Sequence, residues 1–217
     1  GGGKVLGFDI TRDRKDVRRK IGYMPESDCL MPGMDAVGLT AYLGELSGMH
    51  RQEAVKRAHE VLYYVGLEEA RYRNVETYSA GMKQRLKLAQ ALVHDPKLLL
   101  LDEPSSGMDP KGRTEMLELI KDIGNKDQMN IIISSHLLPD IEYTCRHVII
   151  LNKGKVATER DVKHTVVETT RRFEVKVKGN PAKFLENLKA KELKIDEGKK
   201  GAHIVTMPPD ATTRVLF

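Results

Sequence analysis

Residues 98–110 read LLLLDEPSSGMDP. Four leucines between Lys97 and Pro104 are too few for a membrane span and suit a strand buried on both faces. The run ends in two adjacent carboxylates, Asp102 and Glu103. Ligands of open α/β sheets bind outside the carboxyl ends of the strands, so a charged pair at such an exit is a candidate site. An Asp-Glu-Pro exit also reads as a plain solvated turn, and these residues alone leave both readings open.

Working outward, residues 76–96 read ETYSAGMKQRLKLAQALVHDP, and Met82, Leu86, Ala89 and Val93 form an apolar stripe at helical spacing. Ser79 stands just before the stripe as an N-cap, followed by the small residues Ala80 and Gly81. Open N–H groups, the positive helix end and a hydroxyl make an anion site there. An ordinary capped helix has the same pattern. On the other side of the central strand, Lys111 to Ile123 repeats the helical period and Gly124 reads as its stop. Asn130 to Ile133 reads as a second buried strand, which runs into Ser134, Ser135 and His136. His136 is thus a further polar group just past a strand end, sharing a sheet edge with Asp102 and Glu103.

Nearer the N-terminus, Lys4 to Ile10 reads as a strand, and Ile21 to Met24 as another that is stopped by Pro25. Glu26 follows at that exit. Asp35 to Gly66 carries a helical period, with Ala54, Ala58, Val61 and Val65 on one face and Gly66 closing it. Leu138 to Arg146 predicts a helix with Pro139 in its first turn, and 148–157 a β-hairpin around Asn152 to Gly154. Beyond Thr158, Phe173, Val175 and Val177 alternate as in a strand. Gly179, Asn180 and Pro181 break it, Phe184, Leu185 and Leu188 suggest a helix, and His203 to Thr206 another strand, a small β-α-β-like appendage. Asp210 could cap a further helix, and the apolar end Val215-Leu216-Phe217 reads as a cut before a natural terminus.

Composition narrows the function classes. The hydrophobic fraction is 40% with no apolar run of membrane-spanning length, so a membrane role would come through a partner. No signal peptide is visible, and Cys29 and Cys145 belong to no CxxC pair, which points to a reducing, cytoplasmic setting without a zinc or disulfide framework. The +5 net charge is uneven. Basic and acidic residues number 23 each in 1–159 but 13 and 8 in 160–217. A basic tail can touch lipid or nucleic acid, or simply be a solvated face.

Together these residues resemble the nucleotide-binding subunit of ATP-binding cassette transporters, of the export type. YSAGMKQR (78–85) is similar to the family's signature sequence, LLLLDEP to its Walker B strand, SSGMDP to its D-loop, and His136 to its switch histidine. Ser79 lies 23 residues before Asp102, and His136 33 after Glu103. The resemblance implies an α/β, P-loop NTPase-like, mostly parallel sheet with helices on both faces over residues 1–158, a helical subdomain at about 35–95, and a small α+β extension over 159–217. It implies ATP and Mg²⁺ as ligands. Asp102 and Glu26 would serve the metal, Glu103 would polarise the attacking water, and His136 would contact the γ-phosphate. Ser79, Ala80 and Gly81 would meet a nucleotide held by a second nucleotide-binding domain, with Asp109 at the facing interface. Partners would be that second domain, in a homodimer or heterodimer, and an integral-membrane permease at the inner face of the cell membrane.

The sequence departs from the family in three places. No G-x-x-x-x-G-K-[ST] phosphate loop occurs, which implies that the chain begins downstream of it and is inactive alone. Glu26 replaces the usual Gln, and Tyr78 and Ala80 replace Leu and Gly in the signature. Two other classes compete: a catalytically silent interaction module, and, ranked lower for want of a coiled-coil insertion or aromatic-interleaved basic stretch, a cassette ATPase acting on nucleic acid.

Overall fold

The computed structural model describes residues 2–28, 30–126, 129–162, 171–175, 184, 188, 194–197 and 203–207. Two compact units are present, Gly1–Cys145 and Arg146–Phe217.

In the first unit, β1 (Lys4–Val5) and β2 (Phe8–Asp9) form a small antiparallel hairpin instead of the single strand expected over 4–10. Leu6 and Gly7 take φ of 50° and 86°, and a turn with both central residues at positive φ matches strand twist and reverses the chain. After α1 (Arg14–Lys20) comes a parallel sheet of β3 (Ile21–Met24), β4 (Leu98–Asp102) and β5 (Asn130–Ser134), in that order. Parallel neighbours need crossovers. The β3–β4 crossover is the helical insert: α2 (Ala36–Leu46), α3 (Arg51–Tyr64), two 3₁₀ turns at Glu68–Tyr72 and Val75–Thr77, and α4 (Ala80–Leu92). The stretch expected to be helical over 35–66 is therefore two helices, broken at Gly48, whose φ is +101°. α5 (Pro110–Lys126) joins β4 to β5, and α6 (Leu138–Thr144) follows β5. α5 runs through Gly124, which does not stop it. A Cβ there would only touch Ile131 at 3.4 Å.

Met24, Leu99 and Leu101 share one core with Leu86, Leu88 and Ala89 of α4 and Met116, Ile120 and Ile123 of α5. The stripe read from the sequence is thus the buried face of α4. Gly22 makes the close approach of that helix possible, because a Cβ on it would lie 2.1 Å from the Ala91 carbonyl oxygen. The expectation that β4 and β5 are buried on both faces needs correction. Leu99 and Leu101 are buried, but Leu98 and Leu100 only in part. Tyr23, Leu100 and Ile132 lie in one row of the sheet, and Tyr23 and Ile132 are 57% and 59% exposed.

The second unit contains the expected hairpin, β6 (His147–Asn152) and β7 (Lys155–Asp161), turning at Lys153–Gly154 with φ of 50° and 74°. It also contains an antiparallel sheet in the order β8-β10-β9, from β8 (Arg171–Val175), β9 (Lys194–Glu197) and β10 (His203–Met207). β9 was not foreseen, since KIDE has too little apolar alternation to announce a strand. The boundary expected after residue 158 falls within β7. Phe184 and Leu188 are helical, and Leu188 is buried. Leu185, the break at 179–181, the cap at Asp210, the run 215–217 and Cys29 lie outside the described residues.

Candidate active site

The three parallel strands deliver Pro25–Glu26, Asp102–Glu103 and Ser134–His136 to one carboxyl edge, because Met24 pairs with Leu101 and Asp102 with Ser134. Glu103 turns sharply out of β4 with φ of +46°, a left-handed value that costs a non-glycine residue on the order of 1–3 kcal/mol and is retained where surroundings enforce it. The enforcement is visible. The Glu103 N–H donates to the Ser134 carbonyl at 3.0 Å, and the Ser106 N–H to the Glu103 carbonyl at 3.1 Å.

The Glu103 side chain is largely buried and is held by the turn after β5. Its Oε1 accepts from the His136 backbone N–H at 2.8 Å and lies 2.8 Å from His136 Nδ1, while Oε2 accepts from Ser135 Oγ at 3.3 Å. An ionised carboxylate offers about four acceptor sites. Three are used, and the remaining one, on Oε2, suits a water. An ionised carboxylate only accepts, so in this contact Nδ1 of His136 is the donor, and the rest of the ring is exposed. Asp102 is positioned through Oδ1, which accepts from Ser134 Oγ at 2.5 Å, leaving Oδ2 facing no protein donor among the described residues.

The signature turn is built separately. Ser79 caps α4 by accepting from the Met82 N–H at 3.3 Å, and Ser79 and Ala80 are exposed. The Tyr78 side chain is buried, its hydroxyl donating to the Ala70 carbonyl at 2.7 Å, and burial raises its pKa. This turn adjoins the stretch 105–109: a Cβ on Gly81 would meet Met108 Cε at 3.4 Å, and one on Gly107 the Ala80 Cβ at 3.8 Å. Gln84 Nε2 pins the stretch by donating to the Ser106 carbonyl at 2.9 Å. Asp109 accepts from the Gly112 N–H at 3.5 Å across the first turn of α5, a capping contact. Among the described residues, no hydrogen bond links Ser79, Gly81, Asp109 or Glu26 to Asp102 or Glu103. The structure therefore joins Glu103 to His136 by hydrogen bonds, with Asp102 next to Glu103 in the chain, and among the described residues it gives the signature turn no hydrogen bond to them.

Profile comparison matches the ABC transporter family over residues 2–106. The Bacillus subtilis ABC transporter ATP-binding protein YxlF is 40% identical over 154 residues, which are 71% of this chain and 50% of YxlF. This chain belongs to the ABC transporter ATPase family. The Bacillus licheniformis bacitracin transport ATP-binding protein BcrA is 36% identical, over 74% of this chain and 52% of BcrA. Among solved structures, an ATP-binding cassette dimer in a post-hydrolysis state with ADP and Pi superposes with a TM-score of 0.67 at 24% identity, covering 75% of this chain and 73% of that one. The chain spans about half the length of the curated relatives it matches.

For an ABC transporter ATPase, Mg²⁺ and ATP are the implied ligands, and the donors fit. Mg²⁺ prefers hard oxygen ligands and usually takes one or two carboxylates, with phosphate and water completing the shell. The open Oδ2 of Asp102 and the exposed carboxylate of Glu26 are of that kind. No group of three or more His, Cys, Asp or Glu side chains among the described residues could hold an ion unaided.

Several polar groups that build the site were not singled out from the sequence. Ser134 and Ser135 appeared only as neighbours of His136. Asp140, buried at 4% exposure, accepts from Ser105 Oγ at 2.7 Å and is paired with Arg113, so it braces the turn after β4 against α5 and α6. No local spacing announces this contact, because Ser105, Arg113 and Asp140 lie on three separate stretches that meet only in the fold.

Proposed function

We propose that this chain is the catalytic and signature-bearing part of a Mg²⁺-dependent ATPase that powers an integral-membrane permease. The observation that carries this reading is the Glu103 carboxylate, locked by His136 and Ser135 with one acceptor position left, beside Asp102 with an open oxygen.

Mg²⁺, when bound with ATP, supplies neutralisation of the charge that builds on the phosphates. Asp102 and Glu26 would hold it. Glu103 would take a proton from a water placed at the open position of Oε2 as that water's oxygen bonds to the γ-phosphorus and the bond from the γ-phosphorus to the ADP oxygen breaks, and general-base help of this sort contributes about 10²–10⁴-fold. His136 keeps the Glu103 carboxylate in place through its backbone N–H and Nδ1, and its exposed ring would contact the γ-phosphate. Ser79, Ala80 and Gly81 offer the N-terminus of α4 to an anion. Because this end is exposed, it would serve the nucleotide of a second, head-to-tail cassette, with Asp109 in the facing interface. That such a cassette was solved as a dimer supports this arrangement. Among the described residues, no helix is long and apolar enough to cross a membrane, and the proposed location is at the inner face of the membrane, held by the permease.

The sequence contains no phosphate loop. The 217-residue chain by itself is therefore expected to show no ATP turnover, whereas a form joined to an upstream segment bearing G-x-x-x-x-G-K-[ST] hydrolyses Mg·ATP, and Glu103→Gln abolishes it. Turnover by the isolated chain, or undiminished turnover by the Glu103→Gln form, contradicts the proposal.

A further inference from the structure

Lys87 lies in the middle of α4, and its side chain is only 2% exposed. A buried ammonium is costly unless its protons are matched. Its Nζ donates to the Pro25 carbonyl at 3.0 Å and to the Glu26 carbonyl at 2.8 Å, and stands 3.7 Å from Asp28 Oδ1. One helical turn earlier, Lys83 Nζ reaches Asp28 Oδ2 at 3.0 Å. The strand β3 ends at Met24, so the carbonyls of residues 25 and 26 lie beyond the sheet ladder. A leucine or methionine at position 87 would fill the same space against the core at lower desolvation cost. What it would not supply is a donor aimed at two successive carbonyls of one loop.

We propose that Lys87 is a positioning residue that fastens loop 25–28 to α4, so that the Glu26 carboxylate and the Ser79–Gly81 turn at the head of the same helix move as one body. The inference rests on the reading of Glu26 as a metal-side carboxylate. The Glu26 side chain itself is exposed, so the loop backbone, gripped from below by Lys87, sets where the carboxylate stands. Displacement of the signature turn by a nucleotide on one surface is thereby transmitted to the metal side of the other. Lys83, more exposed and bound among the described residues only to the Asp28 side chain, adds a weaker tether.

The test has two arms. In the 217-residue chain, amide hydrogen exchange is followed in the segment around residues 21–30 and in β4 for the unaltered chain, Lys87→Met, Lys87→Arg and Lys83→Met. Loss of hydrogen bonds to a charged donor is expected to speed exchange of the loop about tenfold to a hundredfold in Lys87→Met. β4 keeps its protection, Lys87→Arg is partly restored, and Lys83→Met changes little. Unchanged loop exchange overturns the proposal, and so does equal acceleration in β4, which would make Lys87 a general stabiliser. In a form carrying a phosphate loop, binding of a fluorescent ATP analogue is titrated with Mg²⁺. Lys87→Met is expected to raise the Mg²⁺ midpoint about tenfold, as for other residues that orient metal ligands, with metal-free nucleotide affinity kept. A coincident midpoint overturns the link to Glu26. Failure of the unaltered form to bind Mg²⁺-nucleotide overturns the functional reading instead, and the exchange arm still decides whether Lys87 ties the loop.

Discussion

The two strands that flank β4 treat their exits differently. On the β5 side, side chains are fixed: Glu103 receives Ser135 and His136, and Asp102 receives Ser134. On the β3 side, the backbone is fixed: Lys87 holds the carbonyls of Pro25 and Glu26, while the Glu26 side chain stays in solvent. The opposite end of β3 is held by its backbone too, with His94 Nε2 at 3.0 Å from the Ile21 carbonyl and the Lys97 N–H at 2.8 Å from the Lys20 carbonyl. A general base must sit within tenths of an ångström of its water, which requires a carboxylate locked from several directions. A carboxylate that serves a metal through an exposed loop needs only its backbone placed.

The contrast can be broken from either side. The largest effect is expected on the β5 side: in a form bearing a phosphate loop, His136→Ala removes the ring contact to Glu103 and lowers ATP turnover about 100-fold, near the lower end of what general-base help provides, as a steady-state phosphate assay would measure. On the β3 side, Gly22→Ala forces a methyl against the Ala91 carbonyl and is expected to destabilise the fold by about 1–3 kcal/mol, read from urea unfolding of the 217-residue chain. A smaller effect concerns His94, whose pKa is lowered by burial against the weaker pull of its bond to Ile21 and of nearby Asp95. Its folded-state value lies below the ordinary 6.5. The stability it carries is thus complete above that pH and lost as pH falls through the folded value. Unfolding midpoints measured between pH 7 and 5 should drop, and His94→Phe should flatten the drop. Smallest of all, Lys83→Met removes the part-exposed ion pair with Asp28 and should cost less than about 1 kcal/mol, with the difference shrinking in high salt.

Much of the β5 side was legible in the sequence and little of the β3 side was. Asp102, Glu103 and His136 announce themselves because chemistry-bearing residues follow directly on apolar runs, and because their spacing from Ser79 is that of a known family. The apolar stripe of α4 was equally visible in Met82, Leu86, Ala89 and Val93. Lys87 was not, since a lysine within LKLAQAL reads as a solvated position, and no sequence pattern tells that two loop carbonyls point at it. Gly22 is silent for the same reason, as its meaning lies in the distance to Ala91. The single strand expected over Lys4 to Ile10 failed because two residues at positive φ, Leu6 and Gly7, fold it back. The expectation of a doubly buried β4 failed because Tyr23 and Ile132, on the same row as Leu100, stay exposed in the described residues.

The proposed base is Glu103, not Glu26. It is tested most directly by comparing Glu103→Gln with Glu26→Gln in a form carrying a phosphate loop, with ATP turnover at saturating Mg²⁺ and nucleotide binding measured on the same samples. Glu103→Gln is expected to lose at least about 100-fold in turnover while still binding Mg·ATP, and Glu26→Gln to keep turnover within a few-fold. Undiminished hydrolysis by Glu103→Gln, with loss in Glu26→Gln, would contradict the account.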